Sequence, residues 1–274
     1  MDEGHEPDAP ETILPVNVGN TRTSFCVASG DEREHLHAMP NEPVDALAGA
    51  ILSHARGLPA GAPAVLATVN RPLSDRLLGA LRQALGPDRA LLLNDDVPIP
   101  VRHTLDESGA LSVGQDRLLN ALAAFEVIKQ ACVVIDAGTA VTVDFVDGEG
   151  VFHGGAIAPG ARMMLRSLHE HASALPSIDL GRPDSIQSLE AGPFGRNTHQ
   201  AMLNGAVFAV RGLARTLAER YAEFYEAYPQ IIATGGDARL IFEGDDLIEA
   251  IVPDLTLRGI ALAWGAYARA GGDA

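Results

Sequence analysis

Lysine is almost absent from this chain. Of twenty basic residues in 274, nineteen are arginine, and Lys129 stands alone. A P-loop needs a lysine directly after glycine, whereas Lys129 follows Ile128. The protein-kinase pattern needs a strand lysine and an aspartate-phenylalanine-glycine triplet, and neither is present. Any ATP held here is held without a phosphate-binding lysine. Positive charge of any kind is scarce: the net charge of −16 argues against nucleic acid and anionic membrane as main partners, since both need clustered cations. Cysteine is limited to Cys26 and Cys132, each inside an apolar stretch and without metal-type spacing, so both read as small core residues. No apolar run reaches membrane-spanning length. Residues 1–11 are acidic, carry two prolines and lack the basic start and apolar run of a signal peptide, which predicts a disordered tail on a cytoplasmic protein.

Against these absences stand two short stretches that are versions of one another. Val16-Asn17-Val18-Gly19-Asn20-Thr21 follows Ile13-Leu14 and leads into Ser24-Phe25-Cys26-Val27. Ile135-Asp136-Ala137-Gly138-Thr139-Ala140 follows Cys132-Val133-Val134 and leads into Val141-Thr142-Val143-Asp144-Phe145. Each reads as an apolar strand, a tight glycine turn with hydroxyl or amide residues, and a second β-branched strand. Glycine lets backbone approach a ligand closely, and the N–H groups of such a turn suit anionic oxygens. Either hairpin alone could be an ordinary turn. Two of them about 120 residues apart, in matching order, point to a duplicated domain that clamps a nucleotide, the architecture of the actin, hexokinase and Hsp70 superfamily. With 47% hydrophobic residues the chain can bury one large core or two modest ones.

Periodicity fills in the plan. Strands are predicted near 12–18, 22–28 and 33–38, then a helix signalled by Asn41 and Pro43, a strand at Val65–Val69, a helix opened by Pro72 and closed by Gly86-Pro87, and a strand at 91–93. Residues 95–113 lack periodicity and read as a long loop; a helix from 117 to 130 follows. The second half predicts strands near 132–137, 141–146 and 151–158, a helix after Pro159-Gly160, a loop from Leu175 to Arg196, and a long helix over 198–226 weakened by Gly205 and Gly212. A strand at 231–234 and a helix over 257–270 complete it. The expected fold class is α/β, two related actin-like (ribonuclease H-like) lobes with a nucleotide cleft between them: tail 1–11, N-terminal lobe 12–116, linking helix 117–130, C-terminal lobe 131–274.

Three further clusters could carry chemistry, and each has a structural alternative. In Gly114-Gln115-Asp116-Arg117, Asp116 is either a helix N-cap or the base that accepts a hydroxyl proton, with Arg117 offering a planar fork to a carboxylate or phosphate. In Gly235-Gly236-Asp237, the glycines could admit an adenine and ribose, or Asp237 could simply cap a helix. Thr198, beside Asn197, also reads as a cap. Gly154-Gly155 and Pro159-Gly160 are consistent with turn chemistry.

Taken in order, these motifs resemble the type III pantothenate kinases. The resemblance rests on Asn17 to Thr21, Gly114 to Arg117, Asp136 to Ala140, Gly154 to Gly160, Leu175-Pro176, Gly195 to Thr198 and Thr234 to Asp237, and spans residues 13–262. It implies transfer of the ATP γ-phosphate to the primary hydroxyl of pantothenate, opening coenzyme A synthesis, by a homodimer that uses Mg²⁺ and a monovalent cation, K⁺ or NH₄⁺. By the same resemblance, Asn17, Val18, Gly19, Asn20, Thr21, Arg22, Thr23 and Ser24 cradle the ATP phosphates, Thr139 touches them, and Gly235 and Gly236 flank the nucleoside. Gly114, Gln115, Asp116 and Arg117 hold pantothenate with Asp116 as general base, Thr198 reaches it from the partner subunit, and Asp136 binds the monovalent cation. The chain departs from the family in two places. Asn17 stands where aspartate normally helps hold Mg²⁺, keeping one carbonyl oxygen but no full charge. The loop before Gly114 lacks the usual tyrosine; the first tyrosine is Tyr221. These departures leave two competing expectations, a weakly catalytic relative acting as a regulator and a kinase for another small alcohol.

Overall fold

The computed structural model describes residues 12–30, 32–182, 185 and 192–271. The first sheet is built from β1 (Thr12–Val18), β2 (Arg22–Ser29), β3 (Glu32–Pro40), β4 (Ala64–Thr68) and β5 (Ala90–Leu92), with α1 (Val44–Arg56) before β4 and α2 (Arg71–Leu85) after it. Next come α3 (Glu107–Ser112) and α4 (Gln115–Ile128). The second sheet uses β6 (Cys132–Ala137), β7 (Ala140–Val146), β8 (Phe152–Pro159), β9 (Gln230–Thr234) and β10 (Ala250–Ile251). Its helices are α5 (Ala161–His171), α6 (Thr198–Tyr225) and α7 (Ala238–Phe242); α8 (Leu255–Arg269) ends the described chain.

The strand orders are β3-β2-β1-β4-β5 and β8-β7-β6-β9-β10. In each, the first three strands form an antiparallel meander, and the last two run parallel to the first. One topology therefore occurs twice, as the paired hairpins predict, and the fold is α/β with two actin-like lobes. In the first unit β1 is central and buried on both faces. Leu14, Val16 and Val18 pack with Leu47, Ile51, Leu77 and Leu81 from α1 and α2. Ile13 lies on the opposite face with Cys26, Ala28, Val65 and Ala67, covered by Leu119, Leu257 and Ile260. Two-sided burial is why β1 and β4 read as continuous apolar runs rather than alternating ones. In the second unit Val133, Ile135, Val141 and Val143 pack beneath Leu165, Leu203, Val207 and Val210. Cys26 and Cys132 are buried thiols pushed by desolvation up to about 11 and about 12, inert at neutral pH.

Several expectations change. The long loop contains α3, capped by Asp106, whose carboxylate accepts the Gly109 N–H at 2.7 Å. The helix predicted for 117–130 starts and ends two residues earlier. Gly154 and Gly155 lie within the strand expected near 151–158, here β8, and not in a turn; a side chain at 155 would overlap the Val143 carbonyl across the ladder. Gly205 and Gly212 do not interrupt α6. Asn41 does not cap α1; Pro43 occupies that position. The division of the chain also differs from the predicted one. One compact unit takes the residues up to Val101, Asp106–Ala123 and those from Asp254 onward; the other takes Arg102–Leu105 and Ala124–Pro253. The last helix thus packs with the first unit, because Leu257 and Ile260 fill the face beside β1 and a side chain at Gly259 would overlap the Leu119 carbonyl. The tail 1–11 and part of the loop 175–196 lie outside the described residues.

Candidate active site

The first hairpin turns at Gly19-Asn20-Thr21 between paired Val18 and Thr23. The Gly19 N–H donates to the Arg22 carbonyl at 3.0 Å, and a Cβ at 19 would sit 2.7 Å from that oxygen, so only glycine closes the turn this tightly. The turn is held from behind by Asn41, a buried residue missed by the sequence reading. Asn41 Nδ2 donates to the Gly19 carbonyl at 2.9 Å, Thr23 Oγ1 donates to Asn41 Oδ1 at 2.8 Å, and the Asn41 N–H donates to the Thr21 carbonyl at 3.1 Å. Of the predicted phosphate residues, Asn20, Thr21 and Arg22 are exposed, while Asn17 and Ser24 are half-buried and opposite one another in the ladder. Val18 and Thr23 are fully buried, and the Thr23 hydroxyl is engaged in the brace. Arg22 Nη2 donates to the Ala38 carbonyl at 2.8 Å, which fastens its guanidinium to β3.

The second hairpin turns at Gly138-Thr139, with the Gly138 N–H on the Ala140 carbonyl at 3.0 Å. Here backbone supplies the brace: the Gly160 N–H donates to the Thr139 carbonyl at 3.0 Å, and a Cβ at Gly160 would collide with this turn. Thr139 is exposed and Asp136 half-buried. Gly235, at φ +94°, passes so close to Asp136 that a Cβ there would overlap both Asp136 Oδ1 and the Ala137 carbonyl. That bare glycine lets the chain pass beside both oxygens, and the Ala137 carbonyl accepts the Asp237 N–H at 2.9 Å. Asp237 does not cap α7 through its side chain. Its buried carboxylate instead takes Arg162 Nε at 2.9 Å, while Arg162 Nη1 reaches Asp179 at 3.0 Å. The loop after β9 is thereby tied to α5.

Asp116 lies in the first turn of α4, which begins at Gln115, so it is not the capping residue. Gly114 has a specific reason to be glycine: a Cβ there would overlap Asp116 Oδ1. The same oxygen accepts the Arg117 N–H at 2.9 Å, and the Gly114 carbonyl accepts it at 3.2 Å. Both polar ends of Gln115 are occupied by backbone, from Thr68 and Leu93, each at 2.9 Å. Thr198 is exposed at the head of α6, and Asn197 does the capping, its Oδ1 accepting the Gln200 N–H at 2.9 Å. Gln200 Oε1 returns to the Arg196 N–H at 3.0 Å. Among the described residues no group of three or more His, Cys, Asp or Glu could hold a metal. A cavity of about 380 Å³ lined by Phe145, His153, Gly154, Tyr221, Phe224 and Tyr225 includes none of the predicted residues.

Comparison with known proteins matches residues 13–220 to the type III pantothenate kinase model. A type III pantothenate kinase of Rhodospirillum rubrum is 35% identical over 264 residues, covering 91% of this chain and 96% of its own. The chain belongs to the type III pantothenate kinase family. A member from Gluconobacter oxydans is 42% identical over 150 residues, 55% of this chain and 53% of its own. Among solved structures, a Baf family protein of Campylobacter jejuni described as a transcriptional activator aligns with TM-score 0.57 at 18% identity, over 94% of this chain and all of its own. A ROK family glucokinase of Streptomyces griseus, in complex with glucose and AMPPNP, gives 0.52 at 12% over 91% and 98%. At these identities the structural likeness speaks for the fold alone.

In this family member the brace behind the first hairpin is testable. Asn41→Ala leaves the Thr23 hydroxyl and the Gly19 carbonyl without their partner, so it should cost about 1–3 kcal/mol in urea denaturation, the usual penalty for orphaned buried polar groups. It should also raise KM for ATP. Asn20→Ala at the exposed tip should stay within about 0.5 kcal/mol. Equal stability of the two variants would dismiss Asn41 as a brace.

Proposed function

We propose that the protein transfers the γ-phosphoryl group of ATP to the primary hydroxyl of pantothenate, giving 4′-phosphopantothenate and ADP, the first step of coenzyme A synthesis. The observation that carries this reading is family membership across nearly the whole chain, with the Gly114-Gln115-Asp116-Arg117 cluster intact. Asp116 accepts the hydroxyl proton as that oxygen bonds to the γ-phosphorus and the bond to the bridging β–γ oxygen breaks. Arg117 orients the acceptor. Asn17, Gly19, Asn20, Thr21, Arg22 and Ser24 present the first hairpin to the phosphates of Mg-ATP, Thr139 presents the second, and Gly235 and Gly236 give backbone access to the nucleoside. Asp136 and the Ala137 carbonyl would hold a monovalent cation, which supplies positive charge in a protein with a single lysine. Among the described residues no helix is long and apolar enough to cross a membrane.

The direct test is to incubate the purified protein with ATP, Mg²⁺, K⁺ and pantothenate and to weigh the product. A mass shift of one phosphoryl group is expected; its absence favours the regulatory reading or another small alcohol, to which Asn17 and the tyrosine-free loop lend support. Asp116→Asn should cut turnover about 10²–10⁴-fold, toward the lower figure if the transition state is loose. Turnover within threefold of the parent would remove Asp116 from the role of base.

Asn17→Asp restores one carboxylate near the metal-bearing phosphates. It should lower the Mg²⁺ concentration needed for half-maximal rate, since a partly shielded carboxylate interacts with a divalent ion by a few kcal/mol, on the order of Coulomb estimates at intermediate dielectric. An unchanged Mg²⁺ requirement would mean that position 17 does not face the ion.

Thr198 can reach substrate only as part of a symmetric homodimer, with roughly 2,000 Å² or more buried in total. Light scattering is expected to give twice the 28.7 kDa chain mass at micromolar concentration; a stable monomer would exclude Thr198 from the site.

A further inference from the structure

Strands β4 and β5 run parallel with Leu66 opposite Leu92, and the Leu93 N–H donates to the Leu66 carbonyl at 2.9 Å. Continuing that register, the next rung would join the Thr68 N–H to the Leu93 carbonyl directly. The structure has a side chain there instead. The Thr68 N–H donates to Gln115 Oε1 at 2.9 Å, and Gln115 Nε2 donates to the Leu93 carbonyl at 2.9 Å. A primary amide carries a donor and an acceptor on neighbouring atoms, as a peptide unit does, so it can replace a rung where two strands splay apart. Gln115 opens α4, and the next residue is Asp116.

We propose that Gln115 is a positioning residue, an inserted rung that seats the first turn of α4 on the ends of β4 and β5 and thereby holds the Asp116 carboxylate in place. The proposal rests on the kinase reading given above for its catalytic consequence, and on the hydrogen bonds alone for its structural one. Three contacts bear on it. On one side of Asp116, Gln115 is anchored to two strands. On the other, the Arg117 N–H is shared between Asp116 Oδ1 and the Gly114 carbonyl. Farther along α4, Leu119 sits in the core, and Asn120 Oδ1 accepts Thr256 Oγ1 at 2.7 Å. The helix body is thus fixed by packing, and the Gln115 amide registers its first turn against the sheet. A general base must meet its proton within hydrogen-bonding reach, and misplacement by about 1 Å costs up to about 100-fold in rate. Position 115 therefore acts on chemistry through Asp116 rather than by touching pantothenate.

Two substitutions separate this role from general damage. Gln115→Leu keeps the volume and loses both hydrogen bonds; it should lower kcat about 10- to 100-fold with KM for ATP within about twofold, because the bonds that close and brace the first hairpin, from Gly19, Asn41 and Thr23, do not involve position 115. Gln115→Glu keeps the acceptor for the Thr68 N–H but sets a carboxylate against the Leu93 carbonyl; protonation restores the donor. Its deficit relative to the parent at the same pH should therefore shrink by about threefold or more between pH 8 and pH 5.5. Amide hydrogen exchange gives a readout independent of activity: in Gln115→Leu the Thr68 and Arg117 amides should both exchange about tenfold faster. A kcat within twofold of the parent, a rise in KM for ATP matching the fall in kcat, or faster exchange at Thr68 with Arg117 unchanged would each overturn the proposal. If the parent protein itself does not phosphorylate pantothenate, the kinase reading fails, and the exchange comparison alone decides whether Gln115 positions Asp116.

Discussion

Each glycine turn at the candidate site is held by a hydrogen bond to one of its own carbonyl oxygens, and the rest of the arrangement depends on that restraint. A carbonyl left facing a phosphate would repel it, while a turn allowed to flip could present either face. In the first hairpin the Gly19 carbonyl is taken by the Asn41 side chain, and in the second the Thr139 carbonyl is taken by the Gly160 N–H. The devices differ chemically but meet the same need, and backbone N–H groups become usable as anion contacts.

The same economy appears at glycines that remove side chains from carboxylates. Gly114 clears Asp116, and Gly235 clears Asp136 and the Ala137 carbonyl. Gly114 lies two residues before the acid it clears, whereas Gly235 is about a hundred residues from Asp136 and is held to glycine both by the overlap and by its φ of +94°. Asp237 and Arg162 extend this logic: an ion pair between a buried carboxylate after β9 and an exposed guanidinium on α5 ties down the Gly235-Gly236 segment. Removing the guanidinium would leave the buried Asp237 carboxylate without that partner.

Asn17 bears on how the family scaffold is used. The amide is half-buried and sits opposite Ser24 in an intact ladder, so the backbone of the hairpin is preserved while its formal charge is not. An amide at position 17 carries no formal charge and leaves the turn intact. The tyrosine-free segment before Gly114 folds as the short helix α3, capped by Asp106, whose carboxyl is held below the usual range by the Gly109 N–H and then by Ser108.

What the sequence determined by itself was local. Alternation and apolar runs marked the strands, Asn17 to Thr21 and Asp136 to Ala140 marked the two turns, and their matching order foretold one topology used twice. Those features are legible because period and turn chemistry act over a few residues. The roles of Asn41, Gln115, Gly160 and Gly235 were decided only by tertiary structure. Each acts on a backbone group or carboxylate at least about twenty residues away, and no local pattern reports such a pairing. The caps illustrate the limit most plainly. Asp116, Asp237 and Thr198 all sit where a cap is chemically reasonable, yet one lies inside its helix, one pairs with Arg162, and one yields to Asn197. The placement of α8 with the first unit has the same origin. The fit of Gly259 against Leu119 is a matter of shape that composition does not encode.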